Sequence, residues 1–164
     1  LVLAVVQKFG LLDGSPSRVE VIDGDSLRDG PTEIRLFGID APEYLQKCRD
    51  EFHKDYACGK RAASELRAIV GVQEVSCRSL DVDRYGRAIS RCTVEGTDIA
   101  KMMVQQGWAV AFTQFGVYYV VDEMQARHAK RGLWAGDFEL PADYRNRLRH
   151  VQSDIAGGPL QEPD

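Results

Sequence analysis

From Asp23 to Glu43 the chain alternates branched and aromatic residues with carboxylates in a way that only short strands and tight turns satisfy. Val19, Val21 and Ile22 lead into Asp23-Gly24-Asp25-Ser26, and Ile34, Leu36, Phe37 and Ile39 lead into Asp40-Ala41-Pro42-Glu43. Apolar runs bounded by Gly, Pro and Asp read as two strands joined by a turn around Asp29-Gly30-Pro31. An acidic residue at the end of each strand gathers hard oxygen ligands at one rim, the chemistry that Ca²⁺ or Mg²⁺ requires. Arg35, within the second strand, is placed to hold a phosphate in a bidentate fork beside such an ion. Singly, each acid also fits turn chemistry or plain solvation. The combination carries the functional reading.

A chain of 164 residues can bury a full core as one domain. Its net charge of −4 and pI near 5.4 argue against a strongly electrostatic, sequence-independent nucleic-acid binder. They leave room for a locally basic cleft beside a locally acidic metal site. Cys77 and Cys92 flank the turn at Arg84-Tyr85 at similar distances, and Cys48 and Cys58 bracket one loop. The expected pairs are therefore 48–58 and 77–92, which imply an oxidising compartment. The rival readings are reduced core cysteines and a zinc site with His53, although no C-x-x-C spacing is present.

Residues 1–17 read as an N-terminal stub or linker: Leu1 to Val6 fit a signal or anchor remnant or a first strand, and Gly14-Ser15-Pro16-Ser17 a linker or turn. Six apolar residues, Leu1 to Val6, fall short of the ~20 that cross a bilayer. The domain is expected over 18–150, and 151–164 reads as a disordered tail. After a polar loop from Tyr44 to Tyr56, Ala62, Ala63, Leu66, Ile69 and Val70 recur at helical spacing over Cys58 to Val70, closed by Gly71. Residues Val72 to Val94 read as a hairpin whose turn is Asp83-Arg84-Tyr85-Gly86-Arg87. Thr97-Asp98 caps a short helix through Gln106. The aromatic stretch from Trp108 to Val121 belongs partly to the core, while rim aromatics there could stack on bases. A third helix runs to about Arg131, and Pro141 to His150 suggests a small basic terminal helix.

Five motifs in this order make the chain similar to one known family. They are Val-Ile-Asp-Gly-Asp-Ser at 21–26, Ile-Arg-Leu-Phe-Gly-Ile-Asp-Ala-Pro-Glu at 34–43, Asp-Arg-Tyr-Gly-Arg at 83–87, Gln-Gly-Trp-Ala at 106–109 and Arg-Gly-Leu-Trp at 131–134. Over roughly residues 18 to 135 the chain resembles the staphylococcal nuclease-like (thermonuclease) family, and its cysteines look like those of a disulfide-bearing bacterial branch. The resemblance implies an α+β, mainly β fold: an OB-fold five-stranded β-barrel with about three packed α-helices. It also implies Ca²⁺-dependent hydrolysis of DNA and RNA to 3′-phosphate ends, by an exported monomer with no stable protein partner and a preference for single strands.

Carried over by position, Asp25 and Asp40 would ligate the ion, Ala41 would add its backbone carbonyl, and Asp23 would stand behind them. Glu43 would orient or deprotonate the attacking water, and Arg35 and Arg87 would grip the scissile phosphate. Arg84 and Tyr85 would contact nucleotide phosphates. Phe112 and Phe115 would offer stacking faces where relatives often carry tyrosines. Two other readings stand beside the enzyme: a catalytically silent module of the same fold that binds nucleic acid or protein, and an OB-type ligand-binding or envelope structural domain.

Overall fold

The computed structural model describes residues 12–156. Its strands are β1 (Asp13–Ser17), β2 (Glu20–Val21), β3 (Ser26–Asp29), β4 (Thr32–Leu36), β5 (Ile39–Asp40), β6 (Cys48–Arg49), β7 (Asp55–Tyr56), β8 (Val75–Val82), β9 (Ala88–Val94), β10 (Thr97–Asp98) and β11 (Val110–Ala111). The helices among the described residues are α1 (Cys58–Val70), α2 (Ile99–Gln105), α3 (Val120–His128) and α4 (Pro141–Ala156).

The main sheet has the order β1-β8-β9-β4-β3-β2, with β10 on the flank of β9, and it curls into a half-barrel. Neighbours are antiparallel except β4 and β9, which pair in parallel with Arg35 opposite Ile89. Two short ribbons, β5 with β11 and β6 with β7, complete the strand pairing. This is the expected OB-like barrel with packed helices, its long strands broken into pieces. One break is the register shift between Ser79 and Asp81 in β8.

Alternation places the core. Leu27, Ile34, Leu36 and Ile39 are buried, and against them pack Ala62, Leu66 and Val70 of α1 and Ile99, Met103 and Val104 of α2. Arg35 lies between Ile34 and Leu36, so the period of two turns it to the opposite face, where Ser26 is its register partner. The α1 apolar stripe falls on the residues its spacing foretold, and Gly71 follows at φ 57° with its N–H donating to the Arg67 carbonyl. Asp98 caps α2 by accepting from the Lys101 N–H, and Tyr119 Oη donates to its other oxygen at 2.8 Å.

The stretch from Tyr44 to Tyr56, read as a loop, carries the β6–β7 ribbon, and two boundaries also differ from the sequence reading. Gly14-Ser15-Pro16-Ser17, read as linker, belongs to strand β1, which pairs with β8 at the sheet edge. At an edge, one face of the backbone needs no partner, and Pro is tolerated there. The terminal helix extends to Ala156 rather than stopping at His150. The expectations for 1–11 and 157–164 lie outside the described residues.

Candidate active site

The Asp23-Gly24-Asp25 turn is built by a side chain. The Asp25 N–H donates to Asp23 Oδ1 at 3.0 Å, which folds the turn and points the Asp25 carboxylate inward. There Asp25 Oδ2 accepts from the Ala41 N–H at 2.9 Å, and Leu36 N–H donates to the Asp25 carbonyl at 2.8 Å. Asp40 ends β5, fixed by the pairing of Asp40 with Val110. Asp25 and Asp40 are 5% and 2% exposed, too deep for unpaired charges. One nitrogen of Arg35 serves both, at 3.3 Å from Asp25 Oδ2 and 2.8 Å from Asp40 Oδ1. Burial pushes the Asp25 carboxyl up to about 7, opposed by the pull of Arg35 and reinforced by repulsion from Asp23 and Asp40.

Glu43 stands at the mouth of this cluster on a loop held from behind. Its N–H donates to Gln46 Oε1 at 3.1 Å, while the Gln46 N–H donates to the Glu43 carbonyl at 2.7 Å. Gln46 is wholly buried and donates onward to the Glu139 carbonyl at 2.8 Å. The Cys48–Cys58 disulfide, with a Cα separation of 5.6 Å, ties the same loop to the first residue of α1. The second disulfide, Cys77–Cys92, joins directly opposed residues of β8 and β9.

The hairpin tip supplies the other side. Asp83 Oδ1 accepts the N–H groups of Tyr85 and Arg87 at 2.9 and 3.0 Å, and Asp83 Oδ2 accepts Arg87 Nε at 2.7 Å. Partial burial opposes ionisation of Asp83, but these hydrogen bonds outweigh it and hold the carboxyl below its ordinary value. Tyr85, 68% exposed, lies under the guanidinium groups of Arg84 and Arg87 at 4.8 and 5.6 Å from its ring centre.

One groove of about 800 Å³ is lined by Asp25, Arg35, Ala41, Glu43, Arg84, Tyr85, Arg87 and Phe112. The fold thus gathers the acidic rim and the arginine hairpin, 40 and more residues apart in sequence, around a common space. The expectation for the Phe115 side chain lies outside the described residues. Two residues at this site carried no role in the sequence reading. Gln46 left a faint trace, a glutamine three residues after Glu43 in a turn-forming stretch. Arg145 of α4 left none. Its terminal nitrogens donate to Asp40 Oδ1, Asp40 Oδ2 and Glu43 Oε1, each at 2.9 Å.

Among the described residues no three His, Cys, Asp or Glu side chains stand gathered as a ready metal cluster. The donor chemistry nonetheless suits a hard divalent ion. Two buried carboxylates converge on one cationic nitrogen, and burial makes the one on Asp25 resist ionisation, so both call for positive charge beside them. Guanidinium groups now fill that demand.

The comparisons with known proteins agree with this geometry. The family described as Staphylococcal nuclease homologue matches residues 33–136. The succinoglycan biosynthesis protein ExoI of Rhizobium meliloti (strain 1021) is 33% identical over 135 residues, 80% of this chain and 71% of that protein. An uncharacterized endonuclease of Escherichia coli O157:H7 is 31% identical over 130 residues, 75% of this chain and 78% of its own length. The probable endonuclease LCL3 of Schizophyllum commune is 30% identical over 153 residues, and half of its length is covered. With the family match running through Arg35, Asp40, Glu43 and the hairpin, the chain belongs to the staphylococcal nuclease homologue family.

Proposed function

We infer that this chain is a Ca²⁺-dependent nuclease that hydrolyses phosphodiester bonds of DNA and RNA and leaves 3′-phosphate ends. The observation that carries the reading is the single groove in which Asp25, Arg35 and Glu43 face Arg84, Tyr85 and Arg87, with Asp40 buried behind Arg35. Asp25, Asp40 and the Ala41 carbonyl would hold the ion, with Asp23 setting the turn behind them. Bound there, the ion would supply Lewis-acid polarisation of a phosphoryl oxygen.

The chain's own groups do the rest. Glu43, 38% exposed at the mouth, orients a water toward phosphorus and accepts its proton. Arg35 and Arg87 carry the negative charge that builds on the phosphoryl oxygens as water adds. Arg87 is aimed for this by Asp83, which engages its ε nitrogen and turns the rest of the fork toward the groove. As the new P–O bond forms, the bond to the 5′ oxygen breaks. That oxygen takes the electron pair and a proton, giving a 5′-hydroxyl and a 3′-phosphate. Arg84 and the open face of Tyr85 take a neighbouring nucleotide, and Phe112 offers a stacking surface best suited to single strands. The two disulfides support a place outside the reducing cytosol, as for an exported enzyme.

The test is hydrolysis of heat-denatured DNA with Ca²⁺ and then with a calcium chelator, for wild type and Glu43→Gln. Calcium-dependent cleavage lost in the variant is expected. No cleavage by wild type, with Ca²⁺ still raising its melting temperature, would instead identify a silent nuclease-fold module that binds nucleic acid or protein.

A further inference from the structure

The geometry points to Arg145 as a further phosphate-binding arginine of the active centre, one that neutralises Asp40 and Glu43 until a divalent ion takes Asp40. The inference rests on the nuclease reading above and adds a residue to it.

Asp40 is almost fully buried, and both of its oxygens are covered by guanidinium nitrogens. Oδ1 accepts from Arg35 and Arg145, and Oδ2 accepts from Arg145. A hard divalent cation needs carboxylate oxygens at roughly 2.3–2.6 Å. Three of the four acceptor positions of Asp40 are taken by arginine, so an ion must compete with the guanidinium groups for that carboxylate, and the more mobile of them yields.

The structure separates the two candidates. Arg35 sits in a paired strand inside the sheet and is 20% exposed. Arg145 is 32% exposed and lies near the point where α4 leaves the barrel. Pro141 at the start of that helix is buried, and Gln46 holds the carbonyl of Glu139 just before it, whereas residues 146–153 are all exposed. The long side chain of Arg145 can therefore swing without disturbing the sheet.

Charge says where it goes. Three carboxylates, Asp25, Asp40 and Glu43, face two guanidinium groups, so the ionised rim is one charge short of neutral. A divalent cation offsets this negative charge and lets the arginines of the groove attract a phosphodiester. Arg145 already lines the groove, with Arg149 one helical turn along beside it. Released from Asp40, its planar fork meets the next anion in reach, a phosphate of the bound strand. The exchange links the two ligands: the ion frees Arg145 for phosphate, and phosphate holds Arg145 away from the ion's carboxylates. Each then tightens the other by the same factor.

The test uses Arg145→Gln, Arg145→Lys and, as a charge control, Arg147→Gln, whose native partner is Glu139. Ca²⁺ binding is measured by calorimetry without nucleic acid. Binding of a short single-stranded phosphorothioate oligonucleotide is then measured in saturating Ca²⁺. Arg145→Gln should bind Ca²⁺ about tenfold more tightly and the oligonucleotide about tenfold more weakly, the worth of one charge-assisted contact. Arg147→Gln should do neither. If Arg145→Gln melts early, Arg145→Lys, which keeps the charge and loses the fork, should still weaken oligonucleotide binding. Unchanged affinities in both Arg145 variants, with wild type binding both ligands, would overturn the role of Arg145 and leave the nuclease reading standing. A wild type that binds neither ligand would remove both.

Discussion

A Cβ added to Gly59 would lie 1.8 Å from the carbonyl oxygen of Glu43. The first turn of α1 is thus pressed against the backbone that carries the proposed general base. Gly59→Ala must push that loop outward. A displacement near 1 Å at a reacting group costs about a hundredfold in rate, and overpacking a buried contact costs about 1–3 kcal/mol. We expect both, read by turnover on denatured DNA and by thermal unfolding. A variant with unchanged turnover would show that Glu43 tolerates the shift.

Arg87→Ala should lower turnover by about 10²–10³, the usual cost of losing one oxyanion donor. Its melting temperature should change little, because Asp83 keeps its hydrogen bonds to the Tyr85 and Arg87 backbone. Early melting instead would assign Arg87 to the turn rather than to the phosphate.

Asp83 gives the hairpin tip a pH dependence of definite sign. Its folded carboxyl sits below the ordinary 3.8. The stability it adds is therefore present above that value and is lost as pH falls through the lower, folded one. Asp83→Asn should remove this acid-side loss of hairpin order, followed by amide NMR of residues 83–87. At neutral pH the variant should also lose turnover, because its amide nitrogen cannot accept from Arg87 Nε. A hairpin whose acid response is the same in variant and wild type would exclude Asp83 as its cause.

The two disulfides should separate stability from activity. Cys77–Cys92 closes a 15-residue separation within the hairpin. Replacing both residues by Ser should cost about 3 kcal/mol, with the surviving folded protein still active. Cys48–Cys58 holds the loop that carries Glu43 and Gln46. Its loss should lower turnover even at temperatures where the variant is fully folded. Denaturant unfolding beside initial rates checks both, and equal effects of the two replacements on rate would contradict this division.

What the sequence could reveal followed the range of the interactions. The α1 stripe, the Asp98 cap and the Asp83–Arg87 turn are made by residues within a few positions of one another, so their spacing announces them. Strand β1 was hidden because Gly, Pro and two Ser residues have little strand preference and form one only against the ready edge of β8. The acidic rim was legible through its motif. Its guard was not: Arg145 lies 105 residues from Asp40, and no local pattern records such a meeting. The length of α4 did leave a sign, since Val151 and Ile155 continue from Leu148 at helical intervals past His150.

The parallel ladder between β4 and β9 sets Ile34 against Ala88 and Leu36 against Ser90. It sets Arg35 in the middle of the pairing and Arg87 just before its start, and a slip of one residue would exchange Arg35 with a core side chain. The two hairpins that flank it can each form from nearby residues, whereas this seam closes a loop of more than 50 residues and must assemble later. The proposed site is therefore expected to be complete only once this long-range contact is made. Its catalytic rate would report completed folding, not partial order.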